Sequence, residues 1–334
     1  MQSASHLNFE RYNVAWIAPL EIEARAARLM LDHEHQGKFI AKRGDGFIYT
    51  GGDINGHNVV IATFPADHPY GTHSAAALAS DLKQKFPNLW FGLLVGVAAG
   101  LPNLAKNPPL DIRLGDVLVA LGVGDNPAII NYEFGKENED GFQLSPRGSL
   151  PRTEQIVRAA IGKLKSEASE NNFAQYYTNV DKPFEDPGQD RDYLYQAISN
   201  TSAARELRPQ SGRTRVWYGS IGSGDKLIKN PQKRDELRDK YNIIGLEMEA
   251  AGIMNILPVG VIRGVSDYGD TYKDKTWQPY AAITAAAYAK SILHEIQPGM
   301  NSPKTRFNPI ESATKPYEKQ PEGKCHSYSL LGEY

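Results

Sequence analysis

What most constrains this chain is a series of short runs that are apolar at consecutive rather than alternate positions. Tyr12–Ala18, Leu89–Val95, Val117–Leu121, Val216–Ile221, Ile243–Leu246 and Gly260–Val265 are largely of this kind, and Ile129–Phe134 is a further strand candidate. A strand wetted on one face alternates apolar and polar residues, whereas one covered on both faces does not. The segments between them are rich in helix formers: Glu21–Asp32, Thr72–Phe86, Thr153–Lys165, Pro231–Tyr241, Glu249–Leu257 and Tyr280–Ile296. Phe47–Gly51 and Asn58–Thr63 flank Asn55-Gly56, the signal of a tight hairpin. Strand–helix alternation of this kind predicts an α/β fold of three layers, αβα. Its central twisted sheet is mixed and mostly parallel.

The same runs set the domain plan. They extend from Tyr12 to Ile296, so residues 1–296 read as one domain, interrupted by a polar, poorly periodic insertion at about Ser166–Arg213. From Gln297 onward Pro, Lys, Glu and Ser dominate, which predicts a flexible tail over 297–334. No run reaches the ~18 apolar residues that span a bilayer, and the first residues lack the apolar core of a signal peptide. A cytoplasmic protein without a membrane partner is the expectation. Thirty-seven basic and 39 acidic side chains nearly cancel, which gives no footprint for nucleic acid. A single cysteine, Cys325, excludes an internal disulfide framework and a cysteine-rich zinc site. The eight histidines are scattered without metal-ligand spacing, and neither HExxH nor GxSxG occurs. No metal and no organic cofactor is expected. GVGDNP at 122–127 is too weak and misplaced for a dinucleotide fingerprint.

Polar or flexible residues sit where buried strands end, which is where open α/β sheets bind ligands. They are APLEIE (18–23), GVAAGL (96–101), SGDKLI (223–228), and the pair GLEMEAAG (245–252) and VIRGVSDYGD (261–270). Carboxylates at the ends of apolar strands are costly unless paired or bound to something.

This pattern resembles the nucleoside phosphorylase/nucleosidase superfamily. The superfamily includes purine nucleoside and uridine phosphorylases and the methylthioadenosine nucleosidases. The carriers are the acidic turn after the first strand, the glycine strand end, EMEA, and the strand ending in Ser266-Asp267. YEFGK (132–136) and WQPYAAITAAAYAK (277–290) are similar to a fungal branch found alone or as the first module of NOD-like receptor proteins. The resemblance implies a nucleoside phosphorylase-like fold, a small-molecule nucleoside substrate, and a homo-oligomer, dimeric or larger.

It also implies roles. Glu249, the second Glu of EMEA, would hold the ribose hydroxyls, because a carboxylate accepts from two neighbouring hydroxyls at once. Met248 would line the sugar, and Glu247 is expected to face elsewhere. Asp267 would give a proton to purine N7, turning the base into a neutral leaving group. Its competing role is a helix cap. Glu23 aligns with the residue that activates water, with Leu20 beside the sugar; Glu21 is a rival one turn position away. Both glutamates also suit the first turn of a helix. Val97 and Ala98 would lie along the substrate. Leu227 stands where family members carry a stacking ring, and Ile228 would offer backbone groups to the base. Phe134, Tyr132 and Trp277 are alternative rings. Asp67, His68, Tyr70 and Gly71 are candidates for the 5′ end.

Phosphorylases of this family carry cationic and hydroxyl groups for phosphate. Here Leu94 replaces the arginine and Val97 the Ser/Thr of that site. An anion site without either would repel phosphate, which favours hydrolysis. Arg263 or Arg43 could restore a charge, so phosphorolysis stays open. A non-catalytic nucleoside-sensing module is the alternative of another class.

Overall fold

The computed structural model describes residues 6–139, 141–145, 150–167, 172–178, 180–196 and 201–299. Cys325 and most of the expected tail lie outside the described residues.

In chain order the elements are β1 (Val14–Ile17), α1 (Glu21–Met30), β2 (His33–Glu34), β3 (Tyr49–Ile54), β4 (His57–Ala62) and α2 (Thr72–Lys85). There follow β5 (Phe91–Gly100), β6 (Val117–Ala120), β7 (Ile129–Asn131), a small hairpin of β8 (Gly135–Asn138) and β9 (Gly141–Leu144), and α3 (Gln155–Ser166). A second hairpin pairs β10 (Tyr193–Gln196) with β11 (Thr201–Ala204). The chain then runs through β12 (Val216–Ser223), α4 (Pro231–Tyr241), β13 (Ile243–Glu247), α5 (Ala250–Ile253), β14 (Val259–Asp267) and α6 (Trp277–Glu295).

The main sheet is ordered β13-β12-β6-β14-β5-β1-β4-β3-β2, with β7 on β12. The central pairs β1–β4, β1–β5, β5–β14, β6–β12 and β12–β13 are parallel, while β6–β14, β3–β4 and β2–β3 are antiparallel. The expected mixed, mostly parallel α/β sheet is therefore present. It also curls: Gly245 and Leu246 of β13 pair with Gly100 and Ala99 of β5, closing β5, β14, β6, β12 and β13 on themselves. That pairing explains why β5 continues through GVAAG to Gly100 rather than stopping at Val95.

Helices cover both faces. On β14, Gly260 lies against Val157 of α3 and Gly264 against Ala281 of α6. Arg263, between them, turns its side chain the opposite way, as strand alternation requires. α6 packs along β14 and β5 with α1 beside it, while α2 packs on α5. Among the described residues no helix is long and apolar enough to cross a membrane.

The segment read as an insertion is more integrated than its polarity implies. Phe173, Phe184 and Leu194 enter the core, and Arg208 and Arg213 are buried with acidic partners. Its polar character reflects buried ion pairs as well as solvent exposure.

Candidate active site

A cavity of about 750 Å³ opens at the C-terminal ends of β1, β5, β13 and β14. The sequence positions its walls through four local devices. Pro19 ends β1, and Glu23, in the first turn of α1, reaches back to accept from the Leu20 N–H at 2.8 Å. Its other oxygen accepts from the Val97 N–H at 2.7 Å, tying α1 to β5. This approach needs Gly96: a Cβ there would lie 2.2 Å from Glu23 Oε1 and 2.6 Å from Arg263 Nη1.

At the end of β13, Glu247 turns back to accept from the Glu249 N–H at 3.0 Å and the Ala250 N–H at 2.9 Å. It also pairs with Arg263. The register between β14 and β5 shifts at Ser266, and such an irregularity re-aims the residues around it. Asp267 follows the shift and faces the cavity. Finally, Gly71 at φ +114 starts α2, where Asp225 accepts from the Thr72 N–H at 2.7 Å and the Thr72 hydroxyl at 2.9 Å. A Cβ on Gly71 would meet Asp225 Oδ1 at 2.5 Å. Asp225 thereby anchors the loop that carries Lys226, Leu227, Ile228 and Lys229 to the cavity.

Glu23, Glu247 and Glu249 converge on the buried Arg263. Its Nη2 donates to Glu249 Oε2 at 2.9 Å, and its Nη1 lies 3.9 Å from Glu23 Oε1. Burial pushes the Glu23 carboxyl above the usual range, against the pull of Arg263 and two backbone N–H donors. Glu249 is pushed up to about 7, first by burial and then by the charges of Glu247 and Glu23, with Arg263 opposing. Asp267 accepts from the Gly269 N–H at 3.0 Å and the Ser266 hydroxyl at 3.0 Å, and pairs with the Lys273 ammonium at 2.8 Å.

Of the residues named from the sequence, Leu20, Glu21, Glu23, Tyr70, Val97, Ala98, Leu227, Ile228, Met248, Glu249 and Asp267 line this cavity. Glu21 is exposed, whereas Glu23 is buried. Four are not brought there: Asp67, His68, Gly71 and Phe134. Asp67 sits exposed in a turn at φ +57, and Phe134 is 51% exposed in the turn before β8. Of the alternative rings, Tyr132 lines the cavity; Trp277 is buried beside a second cavity. Glu247, expected to face elsewhere, belongs to the Arg263 cluster, because the turn into α5 folds it back over its own backbone. Arg43 does not reach the cavity, and the Arg263 guanidinium is engaged by carboxylates.

The sequence reading missed the cations. Arg25, Lys226, Lys229, Lys273 and Lys275 all line the cavity. Clusters at SGDKLIK and YKDK (272–275) were the available signal. Among the described residues no cluster of His, Cys, Asp and Glu could hold a metal ion.

No family model matches the chain. It is 36% identical over 303 residues to a nucleotide-binding leucine-rich repeat (NLR)-like protein of Hyaloscypha variabilis, a match covering 86% of this chain and 30% of that protein. It is 31% identical over 84 residues to the ATP nucleosidase Cap17 of Escherichia coli, covering 23% of this chain and 17% of that protein. The chain thus spans under a third of the length of either relative. Its structure is similar to the 5′-methylthioadenosine/S-adenosylhomocysteine nucleosidase of Neisseria meningitidis, solved with methylthio-immucillin-A. The TM-score is 0.56 at 19% identity, over 85% of this chain and 99% of that one. The futalosine hydrolase of Helicobacter pylori matches at TM-score 0.56 and 16% identity, over 86% and 99%. In strand pattern, in the carboxylates at its strand ends and in these likenesses, the chain has the fold of the nucleoside phosphorylase/nucleosidase superfamily.

Proposed function

We propose that this protein hydrolyses the N-glycosidic bond of purine ribonucleosides, giving free base and ribose. The observation that carries the reading is the meeting of Glu23, Glu249 and Asp267 in one cavity. Breaking the bond from C1′ to N9 builds positive charge on the sugar and negative charge on the base. In this reading Glu23 takes a proton from the attacking water, a task suited to a carboxyl that burial raises above the usual range. Glu249 grips the ribose hydroxyls beside Met248, and Leu20, Val97 and Ala98 lie along the sugar. Leu227 and Ile228 border the base, Tyr70 the 5′ end, and Asp267 delivers a proton to N7. Exposed Glu21 is the lesser candidate for the base. Water rather than phosphate is favoured as the attacking group because buried Leu94 offers no charge and Arg263 is already enclosed by carboxylates.

One observation favours a second reading of the substrate. Of the five cations around the cavity Lys226 and Lys273 are paired with Glu133 and Asp267; the other three, Arg25, Lys229 and Lys275, suit an anionic group such as a 5′-phosphate chain, and one relative is named an ATP nucleosidase. A second copy of the chain completing the 5′ side remains part of the proposal.

Incubation with inosine, adenosine, guanosine and ATP, with and without inorganic phosphate, tests both readings. Free base with ribose, or with ribose triphosphate from ATP, in phosphate-free buffer is expected. Ribose 1-phosphate formed only with added phosphate would make it a phosphorylase. Tight binding without any product would make it a sensing module.

A further inference from the structure

The proton that Asp267 delivers has to come from somewhere, and the geometry around that carboxylate narrows the source. Both of its oxygens face obligatory donors: the Gly269 N–H on Oδ1 at 3.0 Å and the Lys273 ammonium on Oδ2 at 2.8 Å. Among the described residues the Lys273 ammonium is the one cationic side chain paired with this carboxylate. The Ser266 hydroxyl adds a third contact on Oδ2. Lys273 itself is held in place from both sides of its loop. Asp270 accepts from the Tyr272 N–H at 2.9 Å, and the Tyr272 ring lies 5.1 Å from that of Tyr195. Asp274 accepts from the Thr276 N–H at 2.9 Å and pairs with Arg191 at 3.0 Å. Behind Lys273 lies a second cavity of about 410 Å³, and Ser266, Asp267 and Lys273 line both cavities.

We infer that Lys273 is the positioning residue that supplies this proton, relaying it from the second cavity through Asp267 to the leaving purine. The inference rests on the nucleosidase reading above. As the bond from C1′ to N9 breaks, its electron pair passes to the purine, and N7 takes a proton from Asp267. That proton has first passed to Asp267 Oδ2 from the Lys273 ammonium, 2.8 Å away. The net change is one N–H bond broken at Nζ and one formed at N7, with Asp267 a carboxylate before and after. The neutral amine regains its proton from water in the second cavity. Meanwhile the attacking water gives its proton to Glu23, so atoms and charges balance.

The test uses the full chain, with whichever of inosine and adenosine it hydrolyses, and 4-nitrophenyl riboside, whose leaving group needs no proton. Lys273→Met should lower kcat on the purine nucleoside at least tenfold, leave KM within about threefold, and leave the nitrophenyl substrate near wild type. Lys273→Arg keeps the pairing charge but holds its proton too tightly to give it, so it should stay as slow as Lys273→Met on purine. The opposite sign is equally informative. If Asp267 drew its proton from elsewhere, removing the ammonium would leave activity on the purine nucleoside unchanged or raise it. Unchanged or raised activity, full rescue by Lys273→Arg, or equal damage on both substrates would overturn the inference. A wild type inactive on every nucleoside and on ATP would instead overturn the nucleosidase reading, and the inference with it.

Discussion

Two regions of this molecule bury several charges, and they do so in opposite ways. Behind β6 and β12, Asp111, Asp116, Asp186 and Asp192 meet Arg113, Arg205, Arg208 and Arg213. Asp116, fully buried, accepts from both Nη atoms of Arg208 at 2.7 and 3.1 Å, from Trp217 Nε1 at 2.8 Å and from the Arg113 and Arg215 N–H groups at 2.9 Å. Charges there are matched one to one. In the cavity, by contrast, Glu23, Glu247 and Glu249 share Arg263 alone; burial raises Glu23 and Glu249 there, as it raises Asp192 in the matched cluster, but with three carboxylates to one guanidinium. Matched burial holds a segment in place: this network fastens 181–213 to the sheet. Unmatched burial raises carboxyls, Glu249 to about 7, which is useful for moving protons and costs stability.

The sharpest way to break the comparison is Asp116→Ala. It strands the Arg208 guanidinium, 3% exposed, without its closest counter-charge. Breaking a buried pair from one side costs about 3–5 kcal/mol, so Tm should fall by on the order of 10 °C. A loss of only a degree or two in a thermal melt would mean that the matched cluster is as dispensable as a surface pair. Glu23→Gln is the counterpart in the unmatched cluster. Turnover should fall roughly 10²–10⁴-fold, since the proposed base is gone, while Tm stays within about 3 °C of wild type. Gln loses one acceptor for the Leu20 N–H but no longer buries a charge. Wild-type turnover in Glu23→Gln together with a dead Glu21→Gln would hand the role to Glu21.

How far the sequence disclosed these regions follows from the range of the interactions. The strands were legible because burial on both faces writes itself into consecutive residues, as in Leu89–Val95. The extension of β5 was not, since it depends on β13 returning to pair with it more than 140 residues later. Glu249, Met248 and Asp267 were legible as a motif. The choice between Glu21 and Glu23 was not: residues two apart on a helix point ~200° apart, and only packing says which faces inward. The Arg263 cluster was hidden for the same reason. An arginine inside an apolar strand declares that it must be paired, but its partners come from α1 and the end of β13. Asp67 and Phe134 misled because loop residues carry no periodicity that fixes their direction.

The last prediction concerns what the unmatched cluster costs, and Glu249→Gln reads it. A free glutamate carboxyl titrates near 4.5, and burial with two neighbouring carboxylates pushes that of Glu249 up to about 7 in the fold. Between those values the folded protein binds a proton that the unfolded chain has already lost, so stability falls as pH rises through that window. Below about 4.5 both states are protonated and the penalty vanishes; above about 7 it is fully present. Gln is neutral throughout and can still accept from Arg263. Glu249→Gln should therefore match the wild type near pH 4.5 and exceed it at pH 8, by on the order of 1–3 kcal/mol. Thermal melts of both proteins at the two pH values read the difference for the Glu23–Glu247–Glu249–Arg263 cluster, because contributions from groups outside it cancel. In the proposed reaction the same variant weakens the grip on two ribose hydroxyls. It should lose about ten- to a few-hundredfold in kcat/KM, and less on 2′-deoxynucleosides. A Tm difference independent of pH would show that Arg263 compensates Glu249 fully, and the contrast between the two clusters would collapse.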